Sequence, residues 1–294
     1  MKRRFIIGSL GALTVAISLA SADIAAQGRG GGGGGGQAAA AAAAALPTPK
    51  RPNGVLDFSG IWVQTRPRAE AVPAALDKES GNYTNILRSR TGSPVDFERD
   101  SGVRQRVVPR EAKPWYKPQY WERVQFNDVH GHSLDAPDPD FQCMPAGVPR
   151  IGMPQEILQT DTEMVFLYPL HQRRIYIDGR PHPPESQWIG TWFGHSVGTW
   201  EGDTLVISTV DFNGLEWLGW PGWFTSPDKT VTERMRRVGN TLTWQATVED
   251  TVLLRPWSTA QQMRLLNTDP RAELEEPLPC IERDLGHIVT KERG

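Results

Sequence analysis

GNTLTWQATVED (residues 239–250) decides the fold. After the Gly239-Asn240 pair, Leu242, Trp244, Ala246 and Val248 alternate with Thr243, Gln245, Thr247 and Glu249. Period-two alternation places successive side chains on opposite faces, so this run is a strand with one face on a core. The residues before Gly239, VTERMRRV, are also extended, and Gly-Asn between two such runs is a hairpin signal. GHSVGTWEGDTLVIST (194–209) repeats the pattern with Glu201-Gly202-Asp203 as its turn, and RRIYIDGRPHP (173–183) repeats it with Asp178-Gly179. Gly202-Asp203-Thr204-Leu205 and Gly239-Asn240-Thr241-Leu242 are almost the same words. Consecutive strand-turn-strand units describe an antiparallel meander, which removes its exposed edges by closing into a barrel. The predicted fold class is therefore all-β.

Further strands are expected at residues 60–64, 156–160 and 164–168, the last without alternation and so buried on both faces. Helix is scarce. Residues 118–125 carry proline at a tolerated first-turn position, with Tyr120, Trp121 and Val124 toward the core. DAPDPDFQCMPAGVPR (135–150) is too rich in Pro and Gly for either element and reads as a structured loop of the kind that often carries function. Eleven Trp and twenty-four Pro fit the same picture of strands and long loops.

At the N-terminus, Lys2, Arg3 and Arg4 precede an apolar run from Phe5 to Ala20, followed by an Ala20-Ser21-Ala22 cleavage pattern. Residues 1–22 thus read as a secretory signal peptide, and Arg3-Arg4-Phe5-Ile6 leaves twin-arginine export open beside the general route. The apolar run is too short for a lasting membrane span. Residues 23–52, with a Gly run at 30–36 and an Ala run at 38–45, read as a low-complexity leader whose Ala stretch is too short to hold a helix alone. The rest, residues 53–294, suffices for a single β-barrel-like domain.

Net charge is −2, with no basic block in the mature part, which argues against nucleic acid or an anionic membrane surface as partner. No glycine pattern of the nucleotide-binding kind opens a helix, so hydride and phosphoryl transfer are disfavoured and no cofactor is expected. Cys143 and Cys280 are the only cysteines, an even pair in an exported chain, and are expected to form one disulfide.

Three segments, CMPAGVPR (143–150), HQRRIYIDGRPHP (171–183) and GHSVGTWEGDTLVIST, together resemble a large family of secreted bacterial proteins of no settled activity, over about Asp57 to His287. Members of that family usually carry a Pro-His-Ser step after the Gly202 hairpin. The corresponding stretch here, WLGWPGWFTSPDKT, has no histidine. Gly60-Ile61-Trp62 also resembles the G-x-W opening of lipocalin-type barrels, which implies a tryptophan packed across the barrel floor and one small ligand inside.

His195 is the main catalytic candidate. Its imidazole titrates near neutral pH, and a nearby carboxylate, Asp203 or Glu201, could orient it for proton transfer while Tyr176 and Arg174 stabilise negative charge. The competing reading makes His195 a structural strand residue and Glu201-Gly202-Asp203 only a turn. Ser196, next in the strand, points to the other face and cannot pair readily with His195. Trp217, Trp220 and Trp223 punctuate a Gly/Pro loop and, with Trp192 and Arg150, are candidate ligand contacts. Loop packing for the tryptophans and salt bridges for the arginine are the alternatives. His130-Gly131-His132 has chelate spacing but needs a third ligand such as His182 or His195, and no metal is assigned. In the pairs Arg173-Arg174 and Arg236-Arg237, one arginine of each should face inward or across to a neighbour, and an inward one needs a carboxylate partner or an anionic ligand.

The sequence therefore predicts an exported, lipocalin-like barrel that binds a small apolar or aromatic molecule. If it is an enzyme, it is a cofactor-independent lyase, isomerase or hydrolase using His195. A ligand carrier without chemistry and an envelope interaction protein are the alternatives. Oligomeric state is not legible.

Overall fold

A computed structural model of the chain describes residues 34–64, 75–76, 83–84, 113–130, 138–219 and 222–274. Nine strands close into a barrel: β1 (Gly60–Gln64), β4 (Glu156–Gln159), β5 (Glu163–Leu167), β6 (Gln172–Tyr176), β7 (His195–Glu201), β8 (Thr204–Val210), β9 (Thr230–Val238), β10 (Thr241–Glu249) and β12 (Gln262–Leu266). They follow one another in that order around the wall, and β12 returns to pair with β1. β2 (Ala75–Leu76) and β3 (Tyr83–Thr84) form a separate two-stranded pair, and β11 (Trp257–Ser258) adds to β10. Among the described residues there are two α-helices, α1 (Gly34–Ala44) and α2 (Trp121–His130). Neither is long and apolar enough to cross a membrane.

Both two-residue turns read from the sequence are present, Gly202-Asp203 between β7 and β8 and Gly239-Asn240 between β9 and β10. Gly202 (φ +59°) and Gly239 (φ +55°) supply the positive φ that tight hairpins need. The helix expected at 118–125 runs as a 3₁₀ turn, Pro118–Tyr120, continued by α2, with Val124 fully buried. The run at 164–168 is not buried on both faces. Met164, Phe166 and Tyr168 point inward while Val165 and Leu167 are only half-buried, because β5 obeys the same pleat as its neighbours.

The Asp178-Gly179 hairpin is not formed. β6 ends at Tyr176, and the Ile177 N–H still donates to the Thr162 carbonyl (2.8 Å). The chain then runs to Gly194 outside the named strands, with one parallel bridge between Thr191 and Phe212, and β7 enters parallel to β6, with Ile175 opposite Ser196. Pro181, Pro183 and Pro184 follow the turn. Proline has no N–H to donate, so the returning segment could not build an antiparallel ladder on β6. A parallel neighbour requires a crossover of about a dozen residues or more, which is what this segment supplies. The barrel is mixed rather than wholly antiparallel at this one joint.

The leader also departs from expectation. Residues 34–44 are helical because they are held by the barrel. The Asn240 N–H donates to the Ala43 carbonyl (2.9 Å), and the Thr241 hydroxyl donates to the Ala40 carbonyl (3.3 Å). A Cβ on Gly239 would run into the Ala43 carbonyl. The β9–β10 turn thus gives a donor to the Ala43 carbonyl, one of those a helix C-terminus leaves without an intrahelical partner, stabilising a helix that is marginal alone.

Side chains fill the barrel's mid-section. Trp62, Phe166, Met164, Ile157, Ile175, Leu205, Met235, Leu242 and Trp244 are all inside the barrel, each 1% exposed or less. Trp62 lies near one end, its ring 5.1 Å from the inward Arg237 guanidinium, which donates to the carbonyls of Gly239 and Asp57. Arg173, the inward member of the other arginine pair, meets Glu233 at 2.5 Å, with both side chains essentially buried. The Arg173 guanidinium also donates to Ser196 Oγ and Thr209 Oγ1, and Trp244 Nε1 donates to the other Glu233 oxygen. One side chain of β6 therefore touches β7, β8 and β9.

Removing one member of a buried pair strands the other charge in a poor solvent. Glu233→Ala is expected to lower unfolding free energy by about 3–5 kcal/mol, against roughly 1 kcal/mol or less for Arg234→Ala on the exposed face. Urea denaturation measures both, and equal losses would refute the assignment.

Candidate active site on the outer wall

Strand phase places every candidate on β6 to β8. Ser196, Thr209 and Arg173 face the interior, so His195 on β7, Ser208 on β8 and Tyr176 on β6 face outward. The crossover then folds back over this outer face. Trp188 Nε1 donates to the Pro183 carbonyl (3.0 Å), and the Gly190 N–H donates to the Asp211 carboxylate (2.7 Å), anchoring the segment in itself and to the end of β8. Gly194 enters β7 at φ +64°, packed so closely on the Val210 carbonyl that no Cβ fits.

The result is a row of polar groups. His182 Nε2 lies 3.1 Å from Ser208 Oγ, and His182 Nδ1 lies 2.9 Å from His195 Nδ1. Tyr176 stacks on His195 with ring centroids 5.5 Å apart and planes at 28°, and the Arg180 guanidinium covers the Tyr176 ring at 3.9 Å. Arg180 is held by Asp178 at 2.5 Å. The two imidazoles are half-buried. Burial pulls the His182 proton affinity below the ordinary histidine value, and neighbouring His195 pulls it further. Burial also lowers His195, opposed by Asp211 and reinforced by Arg180. Both rings are thus neutral at pH 7, one donating through Nδ1 and the other accepting.

No family model, no curated protein and no solved structure matches the chain. Function must be argued from the geometry itself.

Several expected partners lie elsewhere. Asp203 is exposed at the β7–β8 turn, whereas His195 pairs with Val210 at the opposite end of that hairpin. Six residues of strand separate them by about 20 Å, so Asp203 cannot orient the ring. Glu201, at the same turn, pairs with Arg234 (2.6 Å). Arg174 faces outward but lies 3.4 Å from Glu163, and the guanidinium over Tyr176 belongs to Arg180. Trp217 and Trp223 are buried in the core cluster, the latter edge-on to Trp257, and do not present open faces to solvent. Trp192 is half-buried, and Arg150 bonds to Asp138 (2.6 Å) and Asp140 (3.2 Å). Trp220, His132 and Cys280 lie outside the described residues.

Sequence reasoning missed Ser208. Its signal was present in the β7–β8 register: with Glu201 opposite Thr204, Ser208 falls opposite Val197, which shares the outer face with His195. His182, considered only as a metal ligand, came to His195 through the crossover, for which the sequence showed a hairpin instead.

Lowered native values fix the sign of a pH effect. Above about pH 6.5, where unfolded histidine is also neutral, the pair costs nothing. As pH falls through 6.5 toward the native values, the unfolded chain binds protons that the folded pair resists, so stability falls. Unfolding measured at pH 7.5 and 5.5 should show a smaller loss for His182→Gln than for the wild type. An equal loss would mean that the pair does not resist protonation.

Proposed function

We propose that this chain is an exported, cofactor-independent hydrolase of small esters with apolar or aromatic acyl groups. Ser208 is the nucleophile, His182 the general base and His195 the group that orients the base. The reading rests on one observation, the contiguous Ser208 Oγ, His182 Nε2, Nδ1 and His195 Nδ1 contacts of 3.1 and 2.9 Å. A nucleophile within hydrogen-bond reach of a base that is itself held by a third group is the general signature of an activated hydroxyl.

In this scheme the His182 Nδ1–H donates to His195 Nδ1, leaving the Nε2 lone pair facing Ser208. The Ser208 proton passes to Nε2 as Oγ bonds to the acyl carbon. The proton then moves from Nε2 to the departing alkoxide as the ester C–O bond breaks. Water, deprotonated by the same nitrogen, hydrolyses the acyl-serine and restores the hydroxyl. The proton-transfer role that the sequence reading gave to His195 falls in this scheme to His182, and His195 acts as a positioning residue through it. Pro183, Trp188 and Tyr176 supply apolar surface in the same segments, and Arg180 supplies positive charge. With the barrel's mid-section filled by side chains, substrate binds on the wall and not inside.

Export through a signal peptide of residues 1–22, a Cys143–Cys280 bridge and membership of the secreted family described above belong to the same proposal. Protein recovered from a periplasmic fraction should have the intact mass of a chain starting at Asp23 and short of two hydrogens.

Assay with p-nitrophenyl and naphthyl esters tests the chemistry. Ser208→Ala and His182→Ala should each lower kcat/KM by about 10²–10⁴-fold, with circular dichroism unchanged. The acid limb of the wild-type profile should fall below pH 6.5, because His182 must be neutral. A fluorophosphonate should label Ser208. Full activity in Ser208→Ala, or labelling elsewhere, would remove the assignment.

A further inference from the structure

Arg173 carries one donor group more than its neighbours use. Its Nε and Nη2 hydrogens go to Ser196, Thr209 and Glu233, whereas Nη1, equally buried, has no hydrogen-bond partner. A buried donor without an acceptor is costly, most of all on a charged group, and marks a place where a solvent molecule or an ion belongs.

Two more groups reach the same end of the barrel interior. Tyr168 extends β5 by one residue past Leu167, which pairs with Gln172, so its ring is diagonal to Arg173 across the β5–β6 ladder. Its hydroxyl donates to the Gly152 carbonyl over a long 3.3 Å. Arg264 on β12 lies opposite the inward Leu242 and donates through Nη1 to the carbonyls of Trp62 (3.2 Å) and Pro154 (3.0 Å). Gly152 and Pro154 belong to one short turn ahead of β4, so the phenol and the second guanidinium meet the same segment. The charges of both arginines act on the Tyr168 phenol, which burial holds well above the ordinary tyrosine range and therefore protonated.

The charges here do not balance. Among the described residues Glu233 is the one carboxylate paired with Arg173, and its second oxygen already accepts from Trp244 Nε1. Arg264 has carbonyl oxygens as its hydrogen-bond partners and no carboxylate. Water at Arg173 Nη1 would accept the hydrogen bond but leave the surplus positive charge in a poor solvent, whereas an anion answers both.

We propose that this end of the barrel interior binds one small monovalent anion, chloride, held by Arg173 Nη1, the Tyr168 hydroxyl and the Arg264 guanidinium. All three holders are donors, which selects an anion over a cation. A single-atom ion suits a barrel whose mid-section is already filled by side chains. The ion braces β12 against β5 and β6, strands that do not pair with it in the sheet. It sits on the opposite side of the wall from Ser208 and stands whether or not the chain is a hydrolase.

Two measurements on the full chain test the site. In unfolding by urea at constant ionic strength, replacing gluconate by chloride should lower the unfolding constant, approaching a tenfold fall per tenfold rise in chloride once the site is saturated. Arg264→Gln and Tyr168→Phe should each weaken chloride binding by about tenfold or more, and Arg174→Ala, on the outer face of β6, should leave it unchanged. Crystals of the wild type soaked in bromide should show an anomalous peak in contact with Arg173 Nη1, a readout that needs no substitution to fold. Water at Nη1, bromide at surface positions only, or stability indifferent to chloride overturns the proposal.

Discussion

Three prolines shape this molecule. Pro181, Pro183 and Pro184 deny the chain the N–H donors it needs to turn back on β6 as a hairpin, although Asp178-Gly179 is suited to that turn. The chain crosses over instead and re-enters the wall in parallel. That single departure from up-and-down order lays the part of the crossover around His182 across the outer face of β7 and β8. It brings His182, thirteen residues away in sequence, onto His195.

The second constraint lies on the other side of the same strands. Inside the barrel, Arg173 reaches Ser196, Thr209 and Glu233 and so spans four consecutive strands, β6 to β9. Because successive side chains alternate, holding these residues inward forces Tyr176, His195 and Ser208 outward. A slip of one residue in β6 or β9 would expose a buried charge, and one in β7 or β8 would turn Ser196 or Thr209 away from Arg173. A buried ion pair gives little net stability, but here it sets register. The outer site is the reverse side of that interior network.

Much of the fold was legible because it rests on local rules. Alternation located β10, turn residues located the β7–β8 and β9–β10 hairpins, and adjacent arginines put one member of each pair inward or across to a neighbour. Those inward members found Glu233 and backbone carbonyls. The misses share a cause, which is that a nonlocal contact decided the outcome. Asp178-Gly179 obeys turn chemistry locally, and only the strand missing after it reveals the crossover. The Ala run looks like a tether, since the Gly239-Asn240 turn that captures it lies about two hundred residues away. The carboxylates nearest His195 in sequence, Glu201 and Asp203, lie at the far end of its hairpin. Its partners, His182 and Ser208, arrive by topology and by register. For Trp217 and Trp223 the sequence left a pocket lip and loop packing both open, and their burial favours packing.

The central claim is that the two histidines are locked on Ser208 with defined, complementary tautomers. Long-range ¹⁵N correlation spectra of the protein at pH 7.5 report the protonation of each ring nitrogen directly. The account predicts His182 protonated at Nδ1 and His195 at Nε2, each as a single fixed tautomer, with the His182 pattern perturbed by Ser208→Ala. Rings that average between tautomers, as exposed histidines do, and that ignore Ser208→Ala would contradict it.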